Sequence, residues 1–106
     1  MTPDEVEHYV SILKRPKMYF GESVSFHQIF GFICGLRYAN AVSHDFGFGT
    51  FPDLVRERLD AVEDERDWIE ILNEHFSAHD LMDSCEKFSE LLTEWEFQER
   101  ESQRTN

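Results

Sequence analysis

The chain has 106 residues, one domain's worth, and is long enough to bury a single core without metal or disulfide support. Apolar residues make up 41% of it, ten of them Phe, and the formal net charge at neutral pH is -12. That balance excludes nucleic-acid binding, which needs clustered Lys and Arg, and it disfavours an anionic membrane surface. The one basic cluster is Lys14-Arg15-Lys17. No charged-then-apolar leader and no apolar run of spanning length occurs, so a cytoplasmic protein is expected.

In chain order, Thr2-Pro3-Asp4-Glu5 predicts a helix start, with Thr2 as cap, Pro3 in the first turn and Glu5 closing a capping box. Val6, Tyr9, Val10 and Leu13 make its apolar stripe, and Pro16 ends it. Residues 16–24 read as an ordered turn with Met18, Tyr19 and Phe20 pointing inward or along the surface, fixed against the central helix. Ser25 and Gln28 repeat the capping-box pattern. The segment 26–43 is apolar on nearly every side, which predicts a buried helix at the centre of the domain. Gly31 and Gly35 share one face of it.

His44–Thr50 is a Gly-punctuated loop with Phe46 and Phe48 expected to pack inward. Short helices are predicted at 51–62, through Leu54, Val55 and Leu59, and at 67–76, through Trp68, Ile71, Leu72 and Phe76. Ser77 reads as the cap of a last helix over 78–98, whose stripe is Leu81, Met82, Cys85, Phe88, Leu91, Leu92 and Trp95. Residues 99–106 read as a polar, frayed tail. No period-two pattern occurs, so the expected fold is all-α, one domain over 1–98 with about five helices.

Catalytic constellations are missing. There is no Gly-x-Ser-x-Gly, no HExxH and no CxxC, and Cys34 and Cys85 sit in apolar stripes where buried free thiols are expected. His75 and His79 lie four apart, but a cap at Ser77 between them would break a shared ligand face, so no metal and no cofactor is expected. His44-Asp45 is the nearest approach to a general base. The expectation is that the chain is not an enzyme.

The charge is uneven. Residues 1–50 carry a net of -1, residues 51–74 a net of -6 and residues 75–106 a net of -5. A face this acidic attracts basic partners by steering and repels anionic ones. Its densest acids are Asp53, Glu57, Asp60, Glu63, Asp64, Glu65, Asp67 and Glu70.

Arg15-Pro16-Lys17-Met18-Tyr19-Phe20-Gly21 is the most specific motif. Arg-Pro-x-Met-Tyr-x-Gly also occurs in the ATP-binding domain of type II topoisomerases, but the nucleotide motifs and sheet of that family are missing here. The chain more closely resembles a group of small bacterial proteins that includes immunity proteins of contact-dependent growth inhibition. The resemblance is carried by residues 15–21, Phe32–Gly35, Phe51–Leu54, Trp68–Ile71 and Phe88–Leu92, in that order. It implies a helical inhibitor that binds a cognate toxin domain, often a nuclease. Joined to the acidity, it suggests a basic RNase or DNase toxin as partner. Within the motif, Pro16 and Gly21 bracket the turn, and Arg15 is expected to cap helix carbonyls or pair with an acid. The alternative reading is a non-enzymatic regulatory or adaptor protein, or a homodimer, using exposed aromatics such as Trp95 and Phe97.

Overall fold

A computed structural model describes residues 2–40, 48–77 and 79–104. These residues form six helices and no strand: α1 (Pro3–Lys14), α2 (Pro16–Phe20), α3 (Phe26–Asn40), α4 (Phe51–Arg58), α5 (Trp68–Ser77) and α6 (Leu81–Arg104). The fold is all-α.

Local chemistry sets the helix ends. The Glu5 backbone N–H donates to Thr2 Oγ1 at 3.2 Å, the expected first half of a capping box. The Glu5 carboxylate, however, is taken up by Tyr9 and Arg37. At α3 the box is complete, with Gln28 N–H on Ser25 Oγ at 3.3 Å and Ser25 N–H on Gln28 Oε1 at 2.9 Å. Residues 16–20 wind into a helix instead of a plain turn. Successive side chains then fan by about 100° each, so Met18, Tyr19 and Phe20 cannot all face inward. Pro16 is buried and Phe20 meets Phe32 edge-on at 5.0 Å, whereas Met18 and Tyr19 are exposed.

The hub is α6, not α3. Helix α6 packs along α1 and also against α3, α4 and α5. Phe88, Leu92 and Trp95, all fully buried, project from it. Helix α3 buries Phe26, Ile29, Phe30 and Ile33 but leaves Gly31, Phe32, Gly35 and Tyr38 exposed. An apolar residue on an outer face and one in a core read alike in sequence, which is why α3 looked surrounded. Its described part ends at Asn40; the expected continuation to 43, the His44-Asp45 pair and Phe46 lie outside the described residues.

Several boundaries move. Helix α4 stops at Arg58, four residues early. Ser77 is the last residue of α5, its hydroxyl donating to the Glu74 carbonyl at 3.1 Å, so it is not the cap of α6. Helix α6 starts at Leu81 and leaves Met82 exposed. It runs through the expected frayed tail to Arg104, a stretch of good helix formers supported by an i,i+4 pair between Glu96 and Arg100 at 3.4 Å.

The core is aromatic. Phe26 meets Phe76 at 4.9 Å and Phe88 at 5.6 Å, Phe30 meets Trp68 at 5.9 Å, and Phe51 meets Trp95 at 5.0 Å. These edge-to-face and tilted pairs join α3, α4, α5 and α6, each adding about 0.5–1.5 kcal/mol beyond area burial. Phe48 packs inward as expected, 5.2 Å from Trp68 and 6.0 Å from Trp95. Thr50, at the start of α4, makes no capping bond; its hydroxyl accepts the Trp95 indole N–H at 3.1 Å.

Helix α4 ends in a Schellman arrangement. The Ala61 N–H reaches Arg56 O at 2.7 Å, the Asp60 N–H reaches Glu57 O at 3.4 Å, and Asp60 takes φ +56°. Glycine holds that left-handed conformation at least cost. Asp60→Gly should therefore raise the urea midpoint by the equivalent of about 1 kcal/mol, with an unchanged m-value.

Candidate protein-interaction surface

The acidic stretch is folded by its own arginines. Arg56 Nη1 and Nη2 donate to the backbone carbonyls of Asp64 and Arg66, tying the 61–67 turn to α4. Arg58 pairs with Glu57 at 3.0 Å and reaches across to Glu94 of α6. Arg66 pairs with Asp64 at 2.7 Å and with Glu74 of α5. All three cations of residues 51–74 are thus turned to internal partners.

The eight acids sort accordingly. Glu57 and Asp64 are held in ion pairs, and the hydrogen bonds from Arg66 are the main cause that brings the Asp64 carboxyl down to about 2. Asp67 starts α5, its carboxylate accepting the Ile69 N–H at 2.9 Å. Asp53, Asp60, Glu63, Glu65 and Glu70 are exposed. Among the described residues, none of those five makes an ion pair. Asp53 lies in the first turn of α4 and Glu57 follows one turn later, so the two share a face.

Beside these acids lies an open cleft of about 370 Å³ between the 59–66 turn and the C-terminal half of α5. Asp60, Asp64 and Glu74 stand on its rim with Arg66, and Leu59, Ala61 and Ile71 supply apolar lining. Val62 and Ile69 are exposed apolar side chains in the same stretch. Asp64 and Glu74 are already paired with Arg66, so Asp60 is the rim carboxylate that makes no ion pair among the described residues.

His75 and His79 also line this cleft, and their rings lie 5.0 Å apart. With Ser77 inside α5, the expected separation of the two histidines does not occur. His79 Nδ1 sits 2.8 Å from the His75 carbonyl oxygen, which assigns the proton to Nδ1. Burial first, then the nearby charges of His79 and Lys87, hold the His75 imidazole below its usual range. Among the described residues, no group of three or more His, Cys, Asp or Glu is placed to hold a metal ion.

The Arg-Pro-x-Met-Tyr-x-Gly segment lies elsewhere, on α2. Its Pro16 begins the helix and Gly21 ends it at φ +97°, with the Gly21 N–H on Lys17 O at 2.9 Å. The role expected of Arg15 falls to its backbone, whose N–H donates to Ile12 O at 3.2 Å; the side chain is exposed and, among the described residues, forms no ion pair. Both thiols are free, and burial pushes Cys34 and Cys85 up to about 11, so neither is a ready nucleophile at neutral pH. Trp95, expected as an exposed contact beside Phe97, is fully buried, while Phe97 is exposed with Arg100 over its ring at 5.7 Å.

The sequence signal found the acids but missed a buried ion pair. Arg37, 4% exposed, donates from Nη1 to both Glu5 oxygens, at 2.7 and 2.9 Å, and stacks on Trp95 at 5.6 Å. No local pattern links residues 5 and 37. No helix among the described residues is long and apolar enough to cross a membrane. No protein-family model, curated protein or solved structure matches the chain.

Proposed function

We propose that the chain is an immunity protein that binds and neutralises a cationic bacterial toxin domain, a nuclease by preference, through the acidic surface built on α4, the 59–67 turn and α5. The observation that carries this reading is the fate of the local charges. Arg56, Arg58 and Arg66 all serve internal partners, while Asp53, Asp60, Glu63, Glu65 and Glu70 are left to solvent. A nuclease site is basic because it holds phosphates, so such a surface occupies it by charge mimicry, with fast association.

Two further points support it. Asp60 keeps a carboxylate on the cleft rim at a backbone position that glycine occupies more cheaply, as strained positions at working surfaces often do. Val62 and Ile69 provide apolar contact among the acids, and desolvated apolar contacts, not rim charges, carry most interface energy. The resemblance of the Arg-Pro-x-Met-Tyr-x-Gly segment points to the same class.

The test is genetic. The C-terminal domain of a large secreted protein encoded immediately upstream should arrest growth when expressed alone in the cytoplasm. Co-expression of this chain should restore growth. Toxicity that persists with this chain present contradicts the reading.

A further inference from the structure

We infer that His75 and His79 form a two-histidine site for a divalent transition-metal ion of the Zn²⁺ class at the C-terminal end of α5, with water in the remaining coordination positions. The backbone sets the pair. The His79 N–H donates to the Phe76 carbonyl at 3.2 Å, so the chain winds on past Ser77 and places His79 one turn beyond His75. Two histidines four apart on one face are the arrangement that grips zinc on a helix. Here the two ring centres lie 5.0 Å apart, with the planes tilted by 32°.

That spacing is the one a shared ion requires. Zn–N bonds are about 2.0–2.1 Å long, which puts the ion about 3.2 Å from the centre of each ring. Two rings bound at a near-tetrahedral angle then have centres about 5 Å apart. The hydrogen bonding also fits. His79 Nδ1–H donates to the His75 carbonyl oxygen at 2.8 Å, which leaves the Nε2 lone pair for a metal. Metal-bound imidazoles are held in this way, with the other ring nitrogen on a carbonyl or carboxylate.

The surroundings favour a cation and select its type. Both rings line the cleft rimmed by Asp60, Asp64 and Glu74, on a chain of net charge -12, so cations concentrate there. The nearby basic side chains are engaged, Arg66 with Asp64 and Glu74, and Lys87 with Asp83 at 3.7 Å. Imidazole nitrogen suits Zn²⁺, Cu²⁺ and Ni²⁺, whereas Mg²⁺ and Ca²⁺ take oxygen ligands. Among the described residues no third His, Cys, Asp or Glu is placed to complete the set, so this is not a closed structural site. Two protein ligands give an exchangeable ion of micromolar affinity, well short of a four-ligand site. The inference does not depend on toxin binding.

Competition against a chromogenic zinc chelator, with the purified full chain after treatment with EDTA, tests it without any protein partner. One Zn²⁺ per chain should bind in the micromolar range, and a large excess of Mg²⁺ should not displace it. His79→Gln should weaken binding at least about 10-fold. That side chain is exposed and Gln can still donate to the His75 carbonyl, so the metal-free variant should keep the wild-type helical spectrum and melting temperature. His75→Gln should weaken Zn²⁺ binding likewise, and His8→Gln, exposed on α1, should leave it unchanged. In nuclear magnetic resonance spectra of the imidazole nitrogens, sub-stoichiometric Ni²⁺ should broaden His75 and His79 ahead of His8. No Zn²⁺ bound at about 1 mM overturns the inference. So does an ion that Mg²⁺ displaces, which places it on the carboxylates, or a His79→Gln chain that binds as tightly as wild type, which leaves an adventitious ion only.

Discussion

Trp95→Ala should cost about 4 kcal/mol of unfolding free energy, a large part of what holds a domain of this size together. Trp95 is fully buried, packs on Phe51 at 5.0 Å and Phe48 at 6.0 Å, and lies under the Arg37 guanidinium at 5.6 Å. Truncation removes the ring contacts, opens a cavity where α4 and α6 meet, and takes the indole N–H from Thr50. Chemical denaturation followed by far-ultraviolet circular dichroism measures the loss. A cost under about 1 kcal/mol would mean that the aromatic cluster is not the centre of the core.

The second large effect lies at Glu5 and Arg37. Glu5→Ala should cost about 3 kcal/mol, because a guanidinium 4% exposed loses the carboxylate that accepts two of its hydrogen bonds. The double variant Glu5→Leu with Arg37→Met should come within about 1 kcal/mol of wild type, since removing both charges also removes their desolvation cost. Burial pushes the Glu5 carboxyl up, but the Tyr9 and Arg37 hydrogen bonds and the Arg37 charge outweigh it, and the net direction is downward. A carboxyl lowered on folding contributes fully above its unfolded value of about 4.3, and that contribution is lost as pH falls through the folded value. Glu5→Gln should therefore flatten the loss of stability below about pH 4. An acid limb as steep as wild type would place the titrating group elsewhere.

What could be read from the sequence was mostly local. Thr2, Ser25 and Gln28 announce helix starts through hydrogen bonds within four residues, Pro16 announces a boundary through its ring and missing N–H, and the structure keeps all of these. Phe30, Phe76, Phe88 and Leu92 fall on periodic stripes and are buried. The misses are tertiary. Glu5 pairs across 32 residues and Arg58 reaches Glu94 across 36, so no window of sequence shows which acids are spent inside. Periodicity also ranked α3 above α6, because Phe32 and Tyr38 raise the apolar count of α3 while facing outward. The acidic stretch was legible as composition. Its division into internally paired Glu57 and Asp64, the α5 cap Asp67, and exposed Asp53, Asp60, Glu63, Glu65 and Glu70 required the fold.

The central claim is that those exposed carboxylates steer a basic protein onto this face. The most direct measurement is the association rate of the chain with the proposed toxin domain, across ionic strength. Wild type should associate fast at low salt and slow steeply as salt rises. The variant with Asp53→Asn, Asp60→Asn, Glu63→Gln and Glu65→Gln should associate about 10-fold more slowly, with a much flatter salt dependence. Equal rates and equal salt slopes for the two proteins would contradict the claim.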